Sequence, residues 1–189
     1  MLLIRSIQRL NLANLITFLR ILLIPFILFT SVTHSQGLNY LASFIFLIAS
    51  LTDFIDGYLA RRFKLESKFG ANLDLIADKL LVSISLIYIS FAYNSIEILI
   101  PSSVIIIREI MVTYLRFYLM YEKKKQLKVK FIGKFKTFSQ MISLIILFLG
   151  SEIMLFNKIY LIGVICLNFA AIFTIISFLF YYSDFKKNL

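Results

Sequence analysis

The chain has 189 residues, of which 60% are hydrophobic and only 16% charged, with a mean hydropathy of +0.90. A soluble domain carries about 25% charged residues, so the composition points away from one and toward an all-α integral membrane protein with no separate soluble domain. Lys and Arg number 20 against 10 Asp and Glu, a formal charge of +10, which in such a chain favours anionic lipid or phosphate partners and leaves no sign of nucleic-acid reading.

The opening MLLIRSIQRL sets Leu2, Leu3, Ile7 and Leu10 against Arg5, Gln8 and Arg9, the pattern of a short helix lying in the bilayer interface. Arginines before an apolar run also imitate a signal peptide. The run from Leu12 to Thr30 nevertheless exceeds the roughly 7 to 15 residues of a signal core, and no A-x-A-like site follows, so a retained helix is expected. A membrane helix needs about 20 apolar residues. Six stretches qualify: 12–32, 38–60, 71–93, 96–121, 135–155 and 159–182. The breaks between them are short and carry turn or charge signals, THSQG, RRFKLESKFG, YNS, EKKKQLKVKFIGK and FNK. The expected architecture is therefore six transmembrane helices in one antiparallel bundle, a single domain over 1–189.

Basic residues orient the bundle. Arg5, Arg9, Arg61, Arg62, Lys64, Lys68, the lysines from Lys123 to Lys130, Lys186 and Lys187 all fall on one side, which the positive-inside rule makes cytoplasmic. Both termini are then cytoplasmic, as six spans require. Cys166, the single cysteine, lies in an apolar run and reads as a core or lipid-facing thiol, and His34 reads as a solvated loop residue.

Four aspartates interrupt this apolar pattern in DFIDGYLARRFKLESKFGANLDLIADK, residues 53–79. Asp53 and Asp56 are three apart near the cytoplasmic end of the second span, and Asp74 and Asp78 are four apart near the start of the third. A hairpin between the two spans brings the four carboxylates to one depth. Ionised carboxylates cost several kcal/mol each at membrane depth and repel one another, so the cluster calls for a cation. A hard divalent ion, Mg2+ or Mn2+, suits a set of oxygens with no nearby His or Cys. Gly57 and Ala60 remove bulk beside the carboxylates, Arg61 offers a fork of donors for phosphate, and Gly70 leaves the mouth of the site without a side chain. Together these residues point to phosphoryl-type transfer on a diphosphate.

The spacing Asp53-x2-Asp56-Gly57-x2-Ala60-Arg61-x8-Gly70-x3-Asp74-x3-Asp78 resembles, at every position, the signature of the CDP-alcohol phosphatidyltransferase family. The resemblance implies six transmembrane helices, a polar cavity open to the cytoplasm, two divalent metal ions and a homodimer. It implies that Asp53, Asp56 and Asp74 are metal ligands and that Asp78 is a ligand or the general base nearest the acceptor hydroxyl. Asp53, Gly57, Ala60 and Arg61 would line the CDP site, with Gly70 nearby. NLITFLRILLIPF, ASLTDFIDGYLARR, ADKLLV, REIMVTYLR and GKFKTFSQM further resemble the bacterial members that transfer phosphatidyl from CDP-diacylglycerol to glycerol 3-phosphate in the cytoplasmic membrane. One departure is Leu75, where that group often has a proline in what is expected to be the first turn of the third helix; altered local rigidity without lost activity is expected.

The acceptor also has a reading from residues. Arg108, Arg116, Lys134 and Lys136 lie on or beside apolar helices, where lone cations are costly, and an acceptor carrying its own phosphate would pair them. Glu109 is a partner for a neighbouring arginine. The alternative for Lys134 and Lys136 is that they snorkel to the surface or meet lipid headgroups, and the run from Lys123 to Lys130 reads as a topology signal that touches anionic lipid. A sibling enzyme using another acceptor, such as inositol phosphate, would keep the aspartates and differ in this basic pocket. A cation channel or transporter would account for carboxylates in a membrane but not for Gly57, Ala60 and Arg61 at their offsets.

Overall fold

The computed structural model describes residues 17–18, 20–27, 29, 40–52, 68–122, 131–150 and 157–188. Among them all regular structure is α-helical: α1 (helical residues within 17–29), α2 (Tyr40–Thr52), α3 (Lys68–Tyr93), α4 (Ile96–Glu122), α5 (Phe131–Gly150) and α6 (Asn157–Asn188). The apolar runs Leu73–Tyr93, Ile96–Tyr121 and Lys158–Lys186, of 21, 26 and 29 residues, are long enough to cross a bilayer; Tyr40–Thr52 and Phe135–Leu149 are shorter apolar helices. The expected interfacial helix and the lysine run from Lys123 to Lys130 lie outside the described residues.

Helix ends depart from the apolar stretches. α3 and α5 begin at Lys68 and Phe131, before the first apolar run, and α6 continues to Asn188 through a polar tail. Apolarity ends where lipid ends, whereas a helix ends where its backbone hydrogen bonds end. No glycine or proline interrupts the tail after Tyr182, and Lys186 near the carboxyl end opposes the helix dipole favourably. Gly70 consequently sits inside the first turn of α3 and does not open it. Leu75 lies eight residues into the same helix, beyond the first turn, where a leucine keeps the backbone N–H that a proline would remove.

Two compact units divide the chain, Met1–Tyr88 and Ile89–Leu189, with α3 running from the first into the second. In the first, Ala42, Phe46 and Ala49 of α2 are buried at four- and three-residue spacing, and Ala77 and Leu81 of α3 at four. In the second, α3 ends at a two-residue turn. Asn94 takes the left-handed conformation (φ 45°) and donates its N–H to the Ser90 carbonyl at 3.1 Å, while the Ser95 carbonyl accepts the first bonds of α4 from Ile98 and Leu99.

Contacts along α4, α5 and α6 give their directions. Ser95 meets Tyr160 through their hydroxyls, Arg108 meets Ser177, and Tyr118 meets Phe185, so α4 and α6 run parallel. The hydroxyl of Tyr93, the last residue of α3, donates to the Leu147 carbonyl at 2.8 Å, while Glu109 pairs with Lys136, so α5 runs the other way. Gly163 lets α5 and α6 approach: a Cβ there would lie 2.9 Å from Leu147 Cδ2 and 3.1 Å from Ile146 Cγ2, and the Ser143 hydroxyl donates to the Gly163 carbonyl at 3.0 Å.

Large apolar side chains lie on the surface and several polar ones join the mainly apolar interior. Phe91 is 81% exposed and Leu179 62%, whereas Arg20, Lys136, Ser143 and Thr174 are buried. Large apolar faces of this extent belong against lipid. The fit at Gly163 is open to test. Gly163→Val is expected to lower the stability of the purified protein by about 1–3 kcal/mol through overpacking. Gly163→Ala, which crowds mainly a rotatable Leu147 methyl, is expected to cost less than about 1 kcal/mol. Thermal unfolding in detergent measures both.

Candidate active site

Asp74 and Asp78 stand one turn apart on α3 and so project from one face. Asp74 Oδ1 accepts a hydrogen bond from Arg20 Nη1 at 2.8 Å and a longer one from the Thr17 hydroxyl at 3.5 Å. Thr17 and Arg20 are three apart on α1 and therefore reach α3 from a single face. The Arg20 side chain is 1% exposed, while the Asp74 carboxylate is 37% exposed. The buried arginine thus anchors one oxygen of an accessible carboxylate. Lys79 Nζ lies 3.0 Å from Asp78 Oδ2. The second oxygen of each aspartate, Oδ2 of Asp74 and Oδ1 of Asp78, has no partner among the described residues. Two carboxylates one turn apart, each with an uncommitted oxygen and no nitrogen or sulfur ligand in their described contacts, are suited to a hard divalent ion. Asp53, Asp56, Gly57, Ala60 and Arg61 lie outside the described residues, and Gly70 is half-buried in the first turn of α3.

The second unit gathers the remaining expected cations. Arg108 and Glu109 sit near the middle of the apolar run Ile96–Tyr121, and both are buried. Lys136 of α5, 2% exposed, forms an ion pair with Glu109, and Arg108 Nη1 lies 3.3 Å from the same carboxylate oxygen. Lys136 therefore turns inward, which removes the alternative that it snorkels to the surface; the Lys134 side chain lies outside the described residues. Arg108 Nη2 also donates to the Ser177 hydroxyl of α6. Two turns further along α4, Arg116 Nη2 donates to the Tyr181 hydroxyl at 2.8 Å. Arg108, Arg116 and Lys136 against Glu109 leave a surplus of two positive charges in this cluster among the described residues.

Sequence reasoning does not single out Arg20, Thr17, Ser177 or Tyr181. Arg20 has a usable signal, since an arginine within an apolar run needs a partner at depth. Tyr181 has none: its neighbour Tyr182 is the same residue type, yet Tyr182 is 53% exposed and Tyr181 5%. The dependence on Glu109 is open to test by Glu109→Gln. Loss of the carboxylate leaves Arg108 and Lys136 buried with their shared counter-charge removed, and is expected to cost about 3–5 kcal/mol, read as a lowered melting temperature in detergent.

Residues 10–180 match the CDP-alcohol phosphatidyltransferase family. A protein of Rickettsia bellii (strain RML369-C), named CDP-diacylglycerol--glycerol-3-phosphate 3-phosphatidyltransferase, is 41% identical over 94% of this chain and 96% of its own length. Proteins of the same name from Shigella flexneri serotype 5b (strain 8401) and Escherichia coli (strain K12) are 35% and 37% identical, over 95% and 71% of this chain and 97% and 74% of their own lengths. With a signature complete at every position and a match that runs nearly from end to end, the chain belongs to the CDP-alcohol phosphatidyltransferase family.

Proposed function

We infer that this membrane enzyme of phospholipid biosynthesis transfers the phosphatidyl group of CDP-diacylglycerol to sn-glycerol 3-phosphate, giving phosphatidylglycerol phosphate and CMP. The relatives that carry this activity in their name cover most of the chain. The observation that carries the choice of acceptor is the excess of cations over carboxylates, among the described residues, around Arg108, Arg116 and Lys136. A phosphate monoester bears close to two negative charges at neutral pH, which a neutral alcohol acceptor lacks.

Enzymes of this family generally use a divalent metal. On this reading Asp53, Asp56, Asp74 and Asp78 would hold two ions, Mg2+ or Mn2+, a role supported by the uncommitted oxygens of Asp74 and Asp78. Bound metal supplies charge neutralisation at the diphosphate and at the departing oxygen. Asp53, Gly57, Ala60 and Arg61 receive the CDP moiety, with Gly70 nearby, the small residues admitting the ligand to the backbone and Arg61 forking onto phosphate. Arg108, Arg116, Lys134 and Lys136 hold the phosphate of the acceptor, converting an encounter in solution into a positioned attack. Asp78 takes the proton of the acceptor's primary hydroxyl. That oxygen bonds to the β-phosphorus as the bond from this phosphorus to the bridging oxygen breaks, and CMP leaves with the bridging oxygen. Arg20 and Thr17 hold Asp74 in place throughout.

The same reading places a single six-span domain in the bacterial cytoplasmic membrane. Both termini and the site would face the cytoplasm, where the basic residues gather. The family resemblance supports a homodimer, and the lysines from Lys123 to Lys130 support contact with anionic lipid.

CMP release by the purified protein tests the assignment, with glycerol 3-phosphate compared against inositol phosphate, serine and glycerol, each with and without EDTA. Release that requires Mg2+ or Mn2+ and glycerol 3-phosphate is expected; metal-dependent release with another acceptor alone would overturn the acceptor, and none with any would overturn the activity. Arg20→Ala, which leaves Asp74 unanchored, is expected to raise the metal concentration for half-maximal activity about 10-fold to 100-fold. Titration of Mg2+ or Mn2+ against activity measures this.

A further inference from the structure

Arg108 and Arg116 are eight residues apart on α4, a little over two turns and about 12 Å along the axis. Two like charges so placed gain by pointing away from each other unless something draws them together. Both guanidinium carbons nevertheless lie near one ring: Arg108 Cζ is 5.4 Å and Arg116 Cζ 5.2 Å from the centroid of Tyr181. These distances are within the range of cation–π attraction, and the ring is 5% exposed, so the attraction is weakly screened. Tyr181 also accepts the Arg116 hydrogen bond through its hydroxyl, and Ser177, one turn earlier on the same face of α6, accepts that of Arg108.

α6 therefore engages both arginines through their Nη2 atoms and an aromatic ring. The Nε–H of Arg108 and the Nε–H of Arg116 are buried and have no partner among the described residues. The Arg108 side chain is itself 8% exposed, and among the described residues no carboxylate pairs with Arg116. Buried donors on cations in excess of their carboxylates call for an anion with several acceptor oxygens.

We propose that Tyr181, supported by Ser177, is the positioning residue of the acceptor site, holding Arg108 and Arg116 so that their free Nε–H donors address a single phosphate monoester. This rests on the reading that these two arginines bind the acceptor's phosphate. Tyr181 acts through the arginines: it sets which acceptors bind, and takes no part in the bond that forms or breaks.

The test uses the full-length protein in detergent and measures CMP release at varied glycerol 3-phosphate and varied CDP-diacylglycerol for Tyr181→Phe, Tyr181→Leu and Arg116→Ala. Tyr181→Phe keeps the ring and removes the oxygen that receives Arg116; the KM for glycerol 3-phosphate is expected to rise about threefold to tenfold. Tyr181→Leu removes ring and oxygen together, with an expected rise of about 10-fold to 100-fold. The KM for CDP-diacylglycerol stays constant in both, and inhibition by inorganic phosphate weakens in parallel with the acceptor. A glycerol 3-phosphate KM unchanged in a folded Tyr181→Phe and Tyr181→Leu overturns the proposal. So does a loss in which kcat and both KM values shift together, the mark of a purely structural tyrosine. If Tyr181→Leu does not fold, the nearly isosteric Tyr181→Phe decides alone. Arg116→Ala separates the layers: an acceptor KM raised there but unmoved in the tyrosine variants overturns only the positioning role, whereas one unmoved in Arg116→Ala overturns the phosphate-binding reading beneath it.

Discussion

A charge buried halfway along a membrane helix has no water to turn to, and the second unit is organised around that constraint. Glu109 on α4 is the counter-charge for Lys136 on α5 and for Arg108 beside it, and Arg108 reaches Ser177 on α6. Three helices are thereby tied at one level by groups that gain little if exposed but cost much if separated. Generic apolar packing, which lipid rivals, cannot provide such a register. On the proposed function that register also serves the acceptor, because it fixes Arg108 and Lys136 at one level, with Arg116 two turns further along α4.

The first unit applies the same physics to a carboxylate. Arg20 is almost wholly buried, and its bond to one oxygen of Asp74 helps to satisfy a charge set in the apolar run of α1. The other oxygen has no partner among the described residues. On the proposed function, a carboxylate fixed through one atom and open at the next would need little further ordering to receive a cation. Elsewhere, small residues such as Gly163 let helices approach closely, and shared hydrogen bonds such as Ser143 to the Gly163 carbonyl fix that approach.

Much of the proposed site is legible in the amino-acid sequence. The aspartates at Asp53, Asp56, Asp74 and Asp78, with Gly57, Ala60, Arg61 and Gly70 between them, are a pattern of chemistry at fixed chain offsets, and such a pattern can be read without knowledge of packing. Arg108, Arg116 and Lys136 are legible because charge in an apolar run is conspicuous. Partnership is less legible. Whether Lys136 turns inward or snorkels depends on Glu109 of another helix, and whether Tyr181 or Tyr182 meets the arginines depends on the rotation of α6 about its axis. Helix ends are hard to place for a related reason, since apolarity records contact with lipid and not the persistence of backbone hydrogen bonds.

The amino-acid sequence by itself determined an all-helical membrane protein and an aspartate signature on its family's spacing, because hydropathy and short-range offsets are properties of neighbours along the chain. Only the tertiary structure decided that Arg20 anchors Asp74 across 54 residues, that Glu109 joins Lys136 across 27, and that Tyr181 gathers Arg108 and Arg116. Those choices depend on helix rotation and register, which are set by the joint requirement that buried charges meet partners and large apolar faces meet lipid. No single segment contains that information.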